Sequence, residues 1–209
     1  MSVVIVHVLP LAAFETDRRF GSRELEAAFT KGKTMPAYSD GAWNFRFNFD
    51  GLAILDFTSP QQIASYLQVF RNGVIESVST EPMASDRDLI FSAFFEGKLL
   101  QSLPNYLLAL QALSVPSPVF IGLSLIGAER SRLPIPNHGF YRDRYSQPLG
   151  RQILIVPPIM LENYSANLAA AMRPVFDSVW NAAGEGESPY YDGDEWKGLK
   201  KFNAASSVW

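Results

Sequence analysis

Aromatic and polar side chains alternate from Trp43 to Phe49. A period of two is typical of a strand that turns one face toward a core. Further along, Asp50-Gly51 and Asn72-Gly73 each separate two apolar runs, and such pairs favour tight hairpin turns. The pattern therefore predicts consecutive antiparallel strands over Trp43–Phe49, Leu52–Phe57, Ala64–Phe70 and Val74–Ser79.

The two faces of the first of these strands differ in chemistry. We expect Phe45, Phe47 and Phe49 to lie on the core side. If they were exposed, they could instead form a base-stacking platform of the kind that sheet-based RNA binders use. The opposite face is polar and carries Arg46, which makes it a candidate partner-binding surface.

The remaining apolar runs predict further strands and helices. Strands are expected over Val3–Leu9, Leu89–Ala93, Val119–Ile126 and Arg151–Val156, and helices over Arg23–Phe29, Phe95–Leu113 and Ser165–Ala183. Pro104 and Pro174 fall inside the two long helices, where proline removes a hydrogen bond and favours a kink. At Pro104 the alternative is a second helix that begins near Leu103.

Together these elements predict an α+β fold. Its sheet would be an antiparallel meander, covered on one face by the two long proline-kinked helices. We expect residues 1–184 to form a single domain and residues 185–209, which mix Gly, Pro, Tyr, acids and lysines, to form an irregular C-terminal tail.

Composition narrows the function classes. The net charge is −3, whereas nucleic-acid binders normally carry a basic excess. The chain has no cysteine, which excludes thiolate metal sites and cysteine nucleophiles and fits a reducing cytoplasm. Its apolar runs are too short to span a bilayer, and the N-terminus lacks a basic segment before its apolar stretch. We therefore expect a cytoplasmic protein that does not bind a membrane.

No catalytic motif stands out. Gly122 to Gly127 frames a serine, but it has the spacing of a buried strand rather than of a nucleophile elbow. His7 alternates with valines in the first strand, which favours a hydrogen-bonded residue of the sheet over a ligand. The acids near residue 192 and the pair Asp86 and Asp88 lack the spacing of a metal loop. The sequence thus favours a non-enzymatic protein without a cofactor or a bound metal.

The longest irregular segment, residues 127–150, is the best candidate for ligand contact. Guanidinium groups beside aromatic rings can grip phosphates or stack on bases, although surface charge on a loop is the simpler interpretation. The candidate residues are Arg130, Arg132, His138, Tyr141, Arg142 and Arg144. Asp143 would join them if the loop processed nucleic acid.

Four segments, taken in order, carry a family resemblance: F-N-F-D-G-L (47–52), S-Y-L-Q-V-F-R-N-G-V-I-E-S-V (65–78), L-P-N-Y-L-L-A-L-Q-A-L (103–113) and R-P-V-F-D-S-V-W-N-A-A-G (173–184). With the opening V-H-V-L-P-L (6–11), they resemble the C-terminal region of bacterial proteins described as helix-turn-helix or ATP-binding proteins with an N-terminal Schlafen-type AlbA_2 domain. The resemblance covers the chain to about residue 196. It implies that a nucleic-acid- or nucleotide-binding domain would lie upstream, so no DNA- or ATP-binding residue carries over. The chain is then a stand-alone version of this region or a piece of a longer protein.

These observations lead to one expected function and one alternative. The expected function is a sensor or interaction module that recognises a partner protein or small ligand and couples it to an effector supplied elsewhere. The tail aromatics Tyr190, Tyr191, Trp196 and Trp209 suggest a surface buried against another chain or a second copy, since such residues are enriched in interfaces. The alternative is a nucleic-acid-binding or nucleic-acid-processing protein that uses the arginine-rich loop, an interpretation that the net charge does not favour.

Overall fold

Most elements form where the apolar periodicity places them. The computed structural model describes residues 2–15, 17–31, 34–39, 43–59, 62–84, 88–136 and 144–198. Its helices are α1 (Ala12–Glu15), α2 (Ser22–Lys31), α3 (Ser92–Ala112) and α4 (Leu168–Ala182). Its strands are β1 (Val3–Pro10), β2 (Trp43–Phe47), β3 (Gly51–Ser59), β4 (Gln62–Phe70), β5 (Ile75–Ser79), β6 (Met83–Ala84), β7 (Leu89–Ile90), β8 (Val119–Ile126), β9 (Pro134–Ile135), β10 (Arg144–Tyr145), β11 (Ile153–Leu161), β12 (Tyr191–Asp192) and β13 (Glu195–Trp196).

Seven of the strands form one antiparallel sheet in the order β11-β8-β1-β5-β4-β3-β2. The four-strand meander from β2 to β5 is confirmed. The first strand of the chain, β1, lies in the interior of the sheet, between β5 and β8. The fold is therefore α+β, as the sequence predicts.

Three helices, not two, line one face of the sheet. α4 packs beside β11, α2 packs on β3, and α3 contacts both of these helices. Alternate residues of β1 (Val4, Val6 and Val8) are buried under this layer, whereas Val3, Ile5 and His7 between them are only partly buried. The core thus lies between the helices and one side of the sheet.

The two internal prolines lie within continuous helices. Pro104 belongs to α3 and Pro174 to α4, and both are exposed. The alternative of a second helix beginning near Leu103 is therefore wrong.

The aromatic side chains at the end of β2 are more exposed than the sequence predicts. Phe45 packs against the core, but Phe47 is 45% exposed and Phe49 is 92% exposed. β2 forms an edge of the sheet and ends at Phe47, so Phe49 lies in the turn that leads to β3. The expectation that all three rings face the core is wrong for Phe49, and Phe47 is only partly covered.

The segment from 185 to 198 folds back onto the helices. Tyr190 and Tyr191 are buried in the core, and β12 pairs with β13 in a short hairpin. Three of the tail aromatics thus pack within this chain, which corrects the expectation that they are buried against another one. Trp209 lies outside the described residues.

A buried carboxylate fastens this segment. Glu96 of α3 is 0% exposed and accepts hydrogen bonds from Trp180 Nε1, Trp196 Nε1 and Ser188 Oγ, each at 2.8 Å. The Trp196 ring lies so close to α3 that a Cβ atom at Gly97 would come within 2.8 Å of it. One acid therefore ties α3, α4 and the C-terminal segment together.

Candidate functional site

The side of the sheet turned away from α2, α3 and α4, here called the open face, is largely apolar over β1, β5, β8 and β11. Strand register and alternation bring its side chains together. The apolar members, all half-buried or exposed, are Val3, Ile5, Leu9, Val78, Phe120, Ile126, Ile153, Ile155 and Met160. Toward β3 and β4 the same face is more tightly packed, because Ala53, Leu55 and Gln68 are buried.

A hydrogen-bonded group lies in the middle of the open face. Glu76 of β5 accepts a hydrogen bond from the Tyr66 hydroxyl at 2.7 Å, and its other oxygen lies 3.0 Å from His7 Nε2. This contact places the proton of a neutral imidazole on Nε2, because the carboxylate can only accept, and leaves Nδ1 as an acceptor. Tyr66 and His7 therefore hold the carboxylate in one position.

The Tyr66 hydroxyl remains a hydrogen-bond donor to this carboxylate. Burial, together with the hydrogen bond to Glu76, raises the pKa of Tyr66, so its hydroxyl stays protonated and keeps donating. The side chain of Glu76 remains 26% exposed. A carboxylate has about four lone-pair sites, so Glu76 retains capacity to accept from a bound group.

Polar side chains continue from Glu76 across the sheet toward β2. Glu76 aligns with Gln68, which aligns with Ala53 and then with Arg46. Asn48 Nδ2 donates to Gln68 Oε1 at 2.7 Å. Arg46 is exposed and lies three strand spacings from Glu76, about 14 Å. Arg46, the candidate that the alternation of β2 predicts, therefore belongs to the same surface as His7 and Glu76.

A gap adjoins the imidazole on its other side. Gly122 of β8 is the register partner of His7, and a Cβ atom built there would meet only the His7 Cβ, at 3.9 Å. The surface is thus open immediately beside the hydrogen-bonded group.

The arginine-rich loop is only partly described. His138, Tyr141, Arg142 and Asp143 lie outside the described residues. Of the arginines that are described, Arg130 pairs with Asp88 at 3.5 Å, Arg144 pairs with Glu185 at 3.9 Å, and Arg132 donates to the Ser146 carbonyl at 3.4 Å. Each of these guanidinium groups therefore has a partner within the chain.

A second cluster of arginines lines a cavity of about 260 Å³ near the β2–β3 turn. Arg71 donates to the carbonyls of Phe49 and Phe20, and Arg18 donates to the carbonyls of Leu113 and Ser114 at the end of α3. Asp17 and Asp50 also line the cavity. Arg18 and Arg71 thus hold loops in place. Arg19 is the third arginine of the cavity, and the two acids offset two of the three positive charges.

Metal and membrane sites receive no support from the described part of the chain. Among the residues it covers, no three His, Asp or Glu side chains are grouped to hold a metal ion. None of the helices described is both long enough and apolar enough to cross a bilayer.

Comparison with known proteins found no family model, no curated protein and no solved structure that matches this chain.

Sequence reasoning identified Arg46 and considered His7 but missed Glu76 and Tyr66. The missing step was strand register, since the meander aligns Glu76 with His7 only because β1 inserts beside β5. The available signal was the alternation in Ile75–Ser79, which sets Glu76 and Val78 on the face opposite Ile75 and Ser77.

Proposed function

We propose that this chain is a non-enzymatic interaction module and that its open face binds another protein. One observation carries the proposal: apolar side chains on a side of the sheet away from the three packed helices surround a single, positioned carboxylate. Contiguous apolar surface with a polar group at its centre is the usual anatomy of a recognition patch.

The chemistry of the face defines the partner. Glu76 would pair with a lysine or arginine, since the carboxylate is already oriented by Tyr66 and His7. The surrounding aliphatic side chains would pack on apolar side chains next to that cation. Arg46 would contact an acidic or carbonyl group about 14 Å away on the partner. We therefore infer a partner surface with one basic residue among apolar ones.

This function suits a module that senses a partner and passes the signal to an effector supplied elsewhere. The resemblance drawn from the sequence supports that arrangement, because the region to which it points follows a separate AlbA_2 domain. The same resemblance supports a bacterial protein with a regulatory role, and the absence of cysteine fits the cytoplasm. We favour protein over nucleic acid because Arg130 and Arg144 are paired with acids of the same chain.

Selection of displayed random peptides on the native chain tests this proposal. Peptides that bind should carry Lys or Arg beside apolar residues, and Ile5→Arg should weaken their binding tenfold or more, measured by fluorescence anisotropy. Leu108→Arg is the matched control, because Leu108 is an exposed apolar residue of α3 (60% exposed) on the helical side. Equal loss with both variants, or no loss with Ile5→Arg, would place the binding surface elsewhere.

A further inference from the structure

The edge strand β11 has an unusual composition for an edge. Its residues Ile153 and Ile155 are 55% and 72% exposed, and the run from Gln152 to Leu161 contains no charged residue. Exposed edges normally carry charges or are covered, because free backbone groups recruit other strands. The opposite edge, β2, is shorter and bears Arg46.

The direction of the backbone groups along β11 follows from one hydrogen bond. The Gly127 amide donates to the Gln152 carbonyl at 2.7 Å, so Gln152 points its backbone groups toward β8. Because these directions alternate along a strand, Leu154 also points inward, whereas Ile153 and Ile155 point their N–H and C=O groups away from the sheet. Pro157, the next outward position, has no N–H and ends the run of donors.

We propose that two copies of this chain pair through β11, antiparallel about a two-fold axis at Leu154. Ile153 of one copy would then lie opposite Ile155 of the second copy, and each such pair exchanges two backbone hydrogen bonds. The two sheets would join into one continuous sheet. On its open side, the four isoleucines would form one apolar cluster.

This edge is complementary to a second copy of itself. The outward donors and acceptors are arranged symmetrically about Leu154, as an isologous interface requires. Beside the edge, a groove of about 430 Å³ runs between β11 and Ser178 of α4, where the side chains flanking the second strand can enter.

The area of this flank is compatible with a weak dimer. About an axis at Leu154 the pairing covers residues 151–157, which span about 23 Å, and the sheet with its helix layer is about 20 Å deep. The interface therefore buries about 450 Å² per copy, less than the roughly 800 Å² per partner of a standard interface and in the range of transient association. We expect association in the micromolar range, visible as a concentration-dependent mass.

Single cysteines test the register directly, because the chain has none of its own. In the proposed pairing, Leu154 of one copy lies opposite Leu154 of the second copy, with a Cα separation of about 4.5 Å, which a disulfide can bridge. The Cα atoms of the two Ile153 residues lie roughly 8 Å or more apart, which is too far for a disulfide. Under mild oxidation Leu154→Cys should give a disulfide dimer and Ile153→Cys should not. Disulfides formed by random collision between monomers would favour Ile153→Cys over Leu154→Cys, since Ile153 is the more exposed of the two positions.

Sedimentation velocity of the otherwise unmodified chain gives the second test. We expect Ile155→Lys to raise the dissociation constant of the dimer tenfold or more. Leu108→Lys should leave this constant unchanged. A particle that stays monomeric at high micromolar concentration, or faster cross-linking of Ile153→Cys, would overturn the proposal. Peptide binding to the open face does not depend on either result, so failure of the dimer and failure of the proposed function are distinguishable.

Discussion

Replacing Glu96 with glutamine removes a buried negative charge and keeps the size of the side chain. In the native chain, burial raises the pKa of Glu96 from 4.5 to about 7, despite the hydrogen bonds from Trp180, Ser188 and Trp196 that favour the ionised form. These three donors are two indole N–H groups and a hydroxyl, all of them uncharged. Desolvation therefore outweighs hydrogen bonding at this site.

The sign and the size of the effect follow from linkage. A carboxyl group whose pKa is higher in the folded chain binds its proton more tightly there, so its contribution to stability is complete below about pH 4.5 and is lost as the pH rises through about 7. At 1.4 kcal/mol for each pKa unit, this loss is about 3 kcal/mol. Glutamine does not titrate, and its variant should lack this part of the pH dependence.

Urea unfolding at pH 5, 6, 7 and 8 measures the difference. The free energy of unfolding of the native chain minus that of Glu96→Gln should fall by about 2 to 3 kcal/mol across this range, because part of the full loss already lies below pH 5. The variant can also differ from the native chain by an amount that does not depend on pH, for example because its amide N–H faces an indole N–H. Such a constant difference in free energy does not affect the change with pH. Glu129→Gln, at an exposed acid, is the control and should follow the native chain. Parallel curves for the native chain and Glu96→Gln would refute the reasoning.

Three further substitutions test other parts of the structure. Gly97→Ala would place a Cβ atom 2.8 Å from the Trp196 ring, so we expect about 1–2 kcal/mol of destabilisation and greater iodide quenching of tryptophan fluorescence; unchanged quenching would contradict the packing. In Gly122→Val the new Cβ meets no atom closer than 3.9 Å, so thermal unfolding should show equal or slightly higher stability. Peptide binding to the open face should be lost, and retained binding would show that the gap is not used. Tyr66→Phe removes the donor to the partly exposed Glu76, and urea unfolding should show a loss of about 1 kcal/mol. Peptide binding should also be weaker, because the carboxylate is no longer held in position. Full binding would contradict the positioning role of Tyr66.

The local elements of this fold could be predicted from sequence because they depend on neighbouring residues. Val119–Ile126 matches β8 at both ends, and the turn pairs at Asp50-Gly51 and Asn72-Gly73 fall at the turns that join the meander strands. The interior position of β1 could not be predicted, since its pairing with β5 and β8 joins residues far apart in the chain. Alternation gave the correct faces of β2, but it does not indicate where a covering layer ends, which is why the expectation for Phe49 is wrong.

The candidate site was harder to predict than the fold because it is assembled across strands. Arg46 was identified from alternation within one strand, whereas Glu76 and Tyr66 gain their meaning only from alignment with His7. Glu96 was missed for a different reason: it is a single acid at the start of a leucine-rich helix, and its partners lie more than eighty residues away. An isolated acid on an apolar helical face was the available signal.

The central claim is that the side of the sheet around Glu76 is the binding surface. Amide chemical-shift mapping of the isotope-labelled chain with a selected peptide tests it most directly. We predict that the shifted amides cluster on β1, β5 and β8, around Ile5, Glu76 and Gly122. Shifts confined to α2, α3 and α4, or to the arginine-rich loop, would contradict it.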